Sequence, residues 1–207
     1  MAPLWVILPA LGLILGPRVW VYRVLREYDQ EDERPDGASD VARALLDQQG
    51  LQSVRVELTD GGDHYDPRAR AIRLSRRNFD RKSLTAITTA AHEVAHAIQH
   101  ASGYGPFTLR TQLARLAQIT GEVGSVLLIS VPLTFLLTRQ TLPRAIVGGT
   151  ALGMLGTSAA AQLAALPTEL DASFRRALPM LQDGWIREDQ VGDAHRILYA
   201  CSLTYVG

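Results

Sequence analysis

The sequence has little of three features that would narrow its interpretation at once. Its 207 residues include a single cysteine, Cys201, so an internal disulfide framework is excluded. The 21 basic residues balance the 21 acidic ones, and nothing in the net charge indicates a nucleic-acid partner. Aromatic residues make up only 6% of the chain, although 47% of it is hydrophobic. This aliphatic content is concentrated in blocks, which predicts membrane segments combined with a soluble part.

The first apolar block, "LWVILPALGLILGPRVWVYRVL", follows the N-terminal methionine almost directly. A cleaved signal peptide would have a basic start before the apolar run and a small-residue cleavage site after it. Here Arg18, Arg23 and Arg26 come after the run instead. We therefore predict that residues 1–26 form an uncleaved transmembrane anchor.

Two further blocks, residues 123–138 and 145–166, are separated only by "RQTLPR". The second of these has about the ~20 residues that a bilayer-spanning helix needs. Its glycine, alanine and serine residues suit close helix packing in lipid. We predict a transmembrane helical hairpin over residues 122–166. The alternative is a buried hairpin of a soluble protein, because the first of the two blocks is short and contains Pro132.

Arginines mark one side of the predicted membrane segments, and an even number of spans places both soluble stretches on that side. These stretches are residues 27–121 and 167–207. We therefore predict an integral protein of the cell membrane whose soluble part faces the cytoplasm and contacts lipid. The arginines on this side are Arg18, Arg23, Arg26, Arg110, Arg115, Arg175 and Arg176.

The soluble stretch predicts an α+β fold that is mainly α-helical. "SDVARALLDQQG" suits a short helix capped by Ser39 and ended by Gly50. Residues 53–75 alternate and turn like a small antiparallel sheet. A longer helix is expected from the N-cap Ser83 to Ser102, where Gly103 stops it.

This longer helix contains "AAHEVAHAIQH", residues 90–100. Side chains four residues apart lie on one helix face, about 6 Å apart, so His92 and His96 can bind one tetrahedral ion. Glu93 can then reach a water molecule that the ion activates and act as a general base. His100 repeats the spacing but lies ~12 Å from His92 along the axis, too far to share the ion. We expect it to be a helix-end histidine.

A third ligand must come from another part of the chain. "LPTELDAS" follows the last apolar block, and its first acidic residues are Glu169 and Asp171. Two histidines plus a glutamate from a later helix form the gluzincin ligand set. We predict that His92, His96 and Glu169 bind one zinc ion per chain. Asp171 is the alternative ligand, or else a group that orients a ligand histidine.

In these segments the chain resembles the membrane-bound neutral zinc metallopeptidases of the YugP type. The resemblance rests on "GASDVARALLDQQGL", "DHYDPRARAIRLS", "AAHEVAHAIQHASGY", "LPTELDAS" and "SLTYV", in this order. It implies a zincin-like domain, with His92, Glu93 and His96 as its functional residues. Related membrane proteases with "E-F-x-A-D" have an aspartate where this chain has Ser173. Family members also continue into a further hydrophobic segment after "SLTYV".

We predict metal-assisted hydrolysis of a peptide or protein substrate. His64 and Tyr65 are candidates for stabilising the oxyanion, because their hairpin precedes the zinc helix as the substrate-aligning strand does in zincins. Weaker candidates are His195, Tyr199 and Tyr205. Two other functions remain open: a catalytically silent membrane scaffold that keeps zinc for stability, and a partner-binding hairpin that recruits a separate protease.

Overall fold

The computed structural model describes residues 4–33, 35–137 and 141–204. They fold mainly as helices, with one small sheet in the described part. Two compact units are present: Gly105–Leu166 forms one, and the residues before Gly105 together with those from Pro167 onward form the other. The helices are α1 Leu4–Glu27, α2 Ala38–Gln48, α3 Leu84–Ala101, α4 Gly105–Leu137, α5 Thr141–Leu170, α6 Leu178–Gln182 and α7 Val191–Thr204.

The Gly105–Leu166 unit consists of α4 and most of α5. A Cβ at Gly124 would lie 3.0 Å from Met154 Cβ, so only glycine allows this close approach of the two helices. Ser158 Oγ also donates to the Ala117 carbonyl at 2.9 Å. Within the described residues, Gly105–Val131 and Thr141–Gln182 are long and apolar enough to cross a membrane. The predicted turn between the blocks falls partly on residues 138–140, outside the described residues.

Several large apolar side chains of this unit are exposed, which favours lipid over water around them. Ile129 is 79% exposed, Val126 68% and Leu152 64%. Apolar surface of this extent is rare on soluble monomers and marks contact with a membrane or a partner. This exposure differs from the buried apolar faces expected of a hairpin in a soluble core.

The small sheet is mixed, so the prediction of an antiparallel sheet was wrong for one of its pairings. Its strands are β1 Arg55–Thr59, β2 His64–Asp66 and β3 Ala71–Ser75. The strand order is β1-β3-β2, with β3 parallel to β1 and antiparallel to β2. The reason is burial: β3 contains Ile72 and Leu74, both fully buried, and takes the central position. Strand β2 is left at the edge, where it contacts α3.

Helix α3 begins and ends as the sequence predicts. Ser83 Oγ accepts a hydrogen bond from Ala86 N at 3.1 Å, which caps the first turn. Gly103 ends the helix with φ +64°, in the left-handed region that favours glycine. Most of its side chains are buried, including both histidines of the metal motif. The motif therefore lies inside the unit formed by the residues before Gly105 and from Pro167 onward.

Helix α2 starts one residue before the predicted cap Ser39, which was wrong. Gly37 is the N-cap residue, and its N–H donates to the Asp40 carboxylate at 3.3 Å. A Cβ at Gly37 would lie 3.0 Å from the Asp80 carbonyl oxygen, so the tight approach of this loop selects glycine at the cap. Gly50, with φ +72°, follows the helix as predicted.

The chain leaves α5 through a π-helix, Asp171–Ala177, that leads directly into α6. π-Helical turns are rare and occur frequently at functional sites. Helix α7 then returns along α3 and the π-helix and also packs against α1, where Val24 is almost fully buried. Segments from both ends of the chain thus pack around α3 in this unit.

Candidate metal centre

Three buried ligand atoms converge where α3 meets the end of α5. The Nε2 atoms of His92 and His96 are 3.2 Å apart. Glu169 Oε2 lies 3.3 Å from His92 Nε2 and 3.2 Å from His96 Nε2. All three side chains are at most 1% exposed. This is the triplet that could hold a metal ion in the described part of the chain.

The spacing of the three atoms matches the ligand shell of a tetrahedral zinc ion. Bonds of about 2.0–2.1 Å at tetrahedral angles separate two ligand atoms by about 3.3 Å. The three observed separations are 3.2, 3.2 and 3.3 Å. The side chains are therefore already at the distances that such an ion requires.

Gln99 fixes the tautomer of His96. Its Nε2 donates to the Thr168 carbonyl at 3.0 Å and to Asp171 Oδ2 at 2.8 Å. Because both acceptors can only accept, the amide nitrogen must face them and Oε1 must face the histidine. Oε1 is 3.0 Å from His96 Nδ1, which therefore carries the hydrogen. The Nε2 lone pair of His96 is left for a metal ion.

Ser173 provides the corresponding contact for His92. Its Oγ lies 2.9 Å from His92 Nδ1 and donates to the Leu198 carbonyl at 3.1 Å. Ser202 Oγ is 2.8 Å away and adds a second hydroxyl to the network. With its hydrogen directed at the carbonyl, Ser173 accepts from the imidazole Nδ1. A serine thus takes the position where related proteases have an aspartate.

The three converging acceptor atoms are stabilised by a cation between them. Two imidazole lone pairs and a carboxylate oxygen face one another at little more than 3 Å and are buried from solvent. Such a group of acceptors is repulsive unless a positive charge lies among them. The donor set, two nitrogens and one oxygen, is the one that catalytic zinc sites use. The residues present therefore fit zinc.

Asp171 lies outside this triplet and contacts it through Gln99. Besides accepting from Gln99, Asp171 Oδ2 accepts from Arg176 Nε at 2.8 Å. The two residues are five apart, and the π-helix stacks residues at this spacing on one face. Arg176 also lies over the Tyr104 ring, 5.4 Å from its centroid. Asp171 therefore contacts Gln99 and Arg176, and its role at the site stays a prediction.

Glu93 is 3% exposed and borders a cleft of about 550 Å³ beside the histidines. Its Oε2 accepts a hydrogen bond from the peptide N–H of Tyr65, in edge strand β2, at 2.8 Å. This bond holds the carboxylate toward the cleft without using a side chain. The cleft is lined by Leu25, Gly62, Asp63, His64, Ser75, Arg77, Asn78, Thr85, Thr89, His92, Glu93, Cys201 and Thr204.

The two oxyanion candidates have different surroundings. His64 lines the cleft, and its Nδ1 donates to the Gly62 carbonyl at 2.8 Å, so its Nε2 is the atom left for other contacts. The Tyr65 hydroxyl lies 2.8 Å from His100 Nδ1, two helix turns beyond His92. Tyr65 therefore contributes its peptide N–H to the site, while its hydroxyl binds His100. Burial raises the pKa of Tyr65.

The weaker candidates have other contacts. His195 packs against the Phe174 ring at 4.5 Å between centroids, and Tyr199 is 45% exposed beside Trp20. Tyr205 lies outside the described residues. Cys201 lines the cleft, but burial raises the pKa of its thiol to about 12, so it is not poised as a nucleophile.

The sequence reasoning missed Gln99 as a functional residue. Its signal was position: it is three residues after His96 and so lies on the same helix face. Ser202, which supports Ser173, had no comparable signal because it is 29 residues from it along the chain. Contacts of this kind arise only when α7 packs on the π-helix.

A helical unit with two imidazoles and a carboxylate converging beside a cleft defines a candidate zinc enzyme. The chain belongs to the neutral zinc metallopeptidase family: residues 3–207 match the family model described as "Putative neutral zinc metallopeptidase". It is also 34% identical over 202 residues to the "Putative membrane protease YugP" of Bacillus subtilis (strain 168). That match covers 95% of this chain and 85% of the relative. No solved structure matches the chain.

Proposed function

We propose that this chain is a membrane-bound zinc endopeptidase with its cleft on the cytoplasmic side. His92, His96 and Glu169 bind one zinc ion, and Glu93 is the general base. The observation that carries the proposal is the triplet itself, whose three buried ligand atoms lie 3.2–3.3 Å apart and whose His92 lines the same cleft as Glu93. Its zincin-like character rests on this arrangement and on the family.

A zinc ion held there would supply the Lewis acid that polarises the scissile carbonyl and activates a water molecule. Glu93 takes the proton of the attacking water and passes it to the leaving amine. The Tyr65 N–H keeps Glu93 Oε2 oriented during both transfers. Gln99 and Ser173 hold the two imidazoles with their Nε2 atoms directed at the ion.

His64 is the candidate for stabilising the oxyanion of the tetrahedral intermediate. It borders the cleft together with Glu93 and is anchored through Nδ1 to Gly62. To donate to an oxyanion it must carry a second proton on Nε2. The Tyr65 hydroxyl is less suited to this role because it is bound to His100.

The experiment compares the full chain with its Glu93→Gln variant in membranes. Glutamine keeps an oxygen that can accept from the Tyr65 N–H but cannot take a proton, so stoichiometric zinc should remain while cleavage is lost. Membrane proteomes of cells with either form should then differ in specific fragments. Thr88→Val, a change one turn before His92 on the same helix, removes a buried hydroxyl that has no hydrogen-bond partner among the described residues and should leave those fragments unchanged.

The same experiment separates the other two functions. A zinc-containing scaffold would bind zinc but give identical fragments with and without the Glu93 carboxylate. A hairpin that only recruits another protease would lack stoichiometric zinc in the purified chain. Either result would contradict the proposed enzymatic function.

A further inference from the structure

An exposed aromatic surface lies on α1 and α7. It consists of Trp20 and Tyr199, which are 37% and 45% exposed. Tyr22, which is 54% exposed, lies two residues after Trp20 and so on another side of α1 at nearly the same level. The rings of Trp20 and Tyr199 meet edge to face, 5.9 Å apart at 80°. Two helices from opposite ends of the chain thus present their aromatic side chains together, instead of burying them.

The neighbouring charges and the preceding apolar run indicate that this aromatic surface contacts lipid headgroups. The apolar run of α1 precedes it, and Arg18, Arg23 and Arg26, all exposed, lie within six residues of Trp20 on the same helix. Arg26 Nη1 donates to the Tyr22 hydroxyl at 2.7 Å. Tryptophan and tyrosine concentrate at the membrane–water boundary, where arginines pair with lipid phosphates.

The metal cleft borders the aromatic surface along both helices. Helices α1 and α7 run in opposite directions here, because Trp20 meets Tyr199 while Arg196 donates to the Tyr28 hydroxyl. Leu25 lines the cleft five residues after Trp20, and Thr204 lines it five residues after Tyr199, so the cleft reaches ~8 Å from the aromatic surface along each helix. The end of α1 is also fixed to the first turn of α3, because Thr85 Oγ1 donates to the Leu25 carbonyl at 3.0 Å. This contact fixes the cleft relative to α1, so the depth of α1 in the membrane also sets the depth of the cleft.

We infer that the cleft opens at the membrane surface and takes extended segments of membrane-attached polypeptides, close to the point where they leave the bilayer. The inference rests on the proposed peptidase function and names its substrate class. An extended chain advances about 3.3 Å per residue, so three to five residues beyond the headgroups already reach the cleft. Cleavage is therefore expected within roughly ten residues of a span or lipid anchor.

The position of the cleft is tested without activity, by fluorescence of the full-length, zinc-loaded chain in vesicles. The chain has three tryptophans, Trp5, Trp20 and Trp185. One variant, W5F/W185F, keeps only Trp20, and its control, W5F/W20F, keeps only Trp185. Lipids brominated near the headgroup should quench Trp20 at least about twofold more strongly than Trp185. Equal quenching, or none for Trp20, would overturn the inference.

The substrate class is tested with one unstructured sequence of about 60 residues, presented either after a transmembrane span in the same vesicles or free in solution. Mass spectrometry locates the cut sites, with Glu93→Gln as the inactive control. We expect cuts that cluster next to the span and at least about tenfold slower cleavage of the free form. Cuts spread evenly, or equal rates for both forms, would overturn the inference while leaving the peptidase function intact. If zinc is bound but neither form is cut, the peptidase function fails and this inference with it.

Discussion

Gln99 is expected to determine how tightly the triplet binds zinc. Its side chain is fully buried and makes three hydrogen bonds, to His96 at 3.0 Å, to Thr168 at 3.0 Å and to Asp171 at 2.8 Å. Gln99→Leu keeps the volume but removes all three. The His96 imidazole then loses the acceptor that fixes its tautomer, and Nε2 is no longer held toward the ion.

Loss of a partner that orients a metal-bound histidine typically costs 10–100-fold in metal affinity. This corresponds to about 1.4–2.7 kcal/mol of binding free energy. Asp171→Asn is the milder test, because Gln99 remains and only the charge of its acceptor is lost. We expect a smaller loss of affinity for it, of several-fold.

The assay is chelator competition for zinc on the purified full chain, with thermal unfolding of the zinc-free form measured in parallel. Thr88→Val is the matched control, because Thr88 Oγ1 is buried on the same helix and has no hydrogen-bond partner among the residues described. Its zinc affinity should stay within about twofold of the unmodified chain. The reasoning is refuted if Gln99→Leu folds and binds zinc as tightly as this control.

Three further predictions concern the site and its surroundings. Glu169→Gln removes a charged ligand atom, and zinc affinity in the same competition assay should fall by more than about 100-fold; a smaller loss would argue against ligation. Because burial raises the pKa of Cys201 to about 12, iodoacetamide at pH 8 should alkylate the folded chain roughly 10³-fold more slowly than the urea-unfolded chain, and comparable rates would contradict this. Burial raises the pKa of Asp29, but hydrogen bonds that include one from Arg77 outweigh it and leave that pKa below its ordinary value. The stabilisation from ionised Asp29 is then present above about pH 4 and is lost as the pH falls through the lowered pKa. Asp29→Asn should therefore lower the free energy of unfolding at pH 7. In acid unfolding followed by circular dichroism, its stability should depend less on pH than that of the unmodified chain.

The metal motif was readable from the sequence because helix geometry is local. Four residues advance the chain by about one turn, so the spacing of His92 and His96 already places both on one face. The cap Ser83 and the stop Gly103 were predicted for the same reason, since each acts on its own backbone neighbours. The apolar blocks were recognisable by length and composition alone.

The strand order could not be predicted, because a three-stranded sheet with short connections allows more than one pairing. Alternation within residues 53–75 indicates strands but not their neighbours. Burial of Ile72 and Leu74 between the other strands and α3 selected the central position for β3. The peptide N–H of Tyr65 then reached Glu93 only because β2 was left at the edge.

The sequence by itself placed His92 and His96 on one helix face with Glu93 next to His92, and it predicted a third ligand from beyond the apolar blocks. Only the tertiary structure separated Glu169 from Asp171. Two residues apart on a helix, their side chains point to different sides, so one packing of α5 against α3 directs Glu169 at the imidazoles and Asp171 at Gln99. Such contacts join residues more than 70 positions apart along the chain, and burial and packing alone decide them.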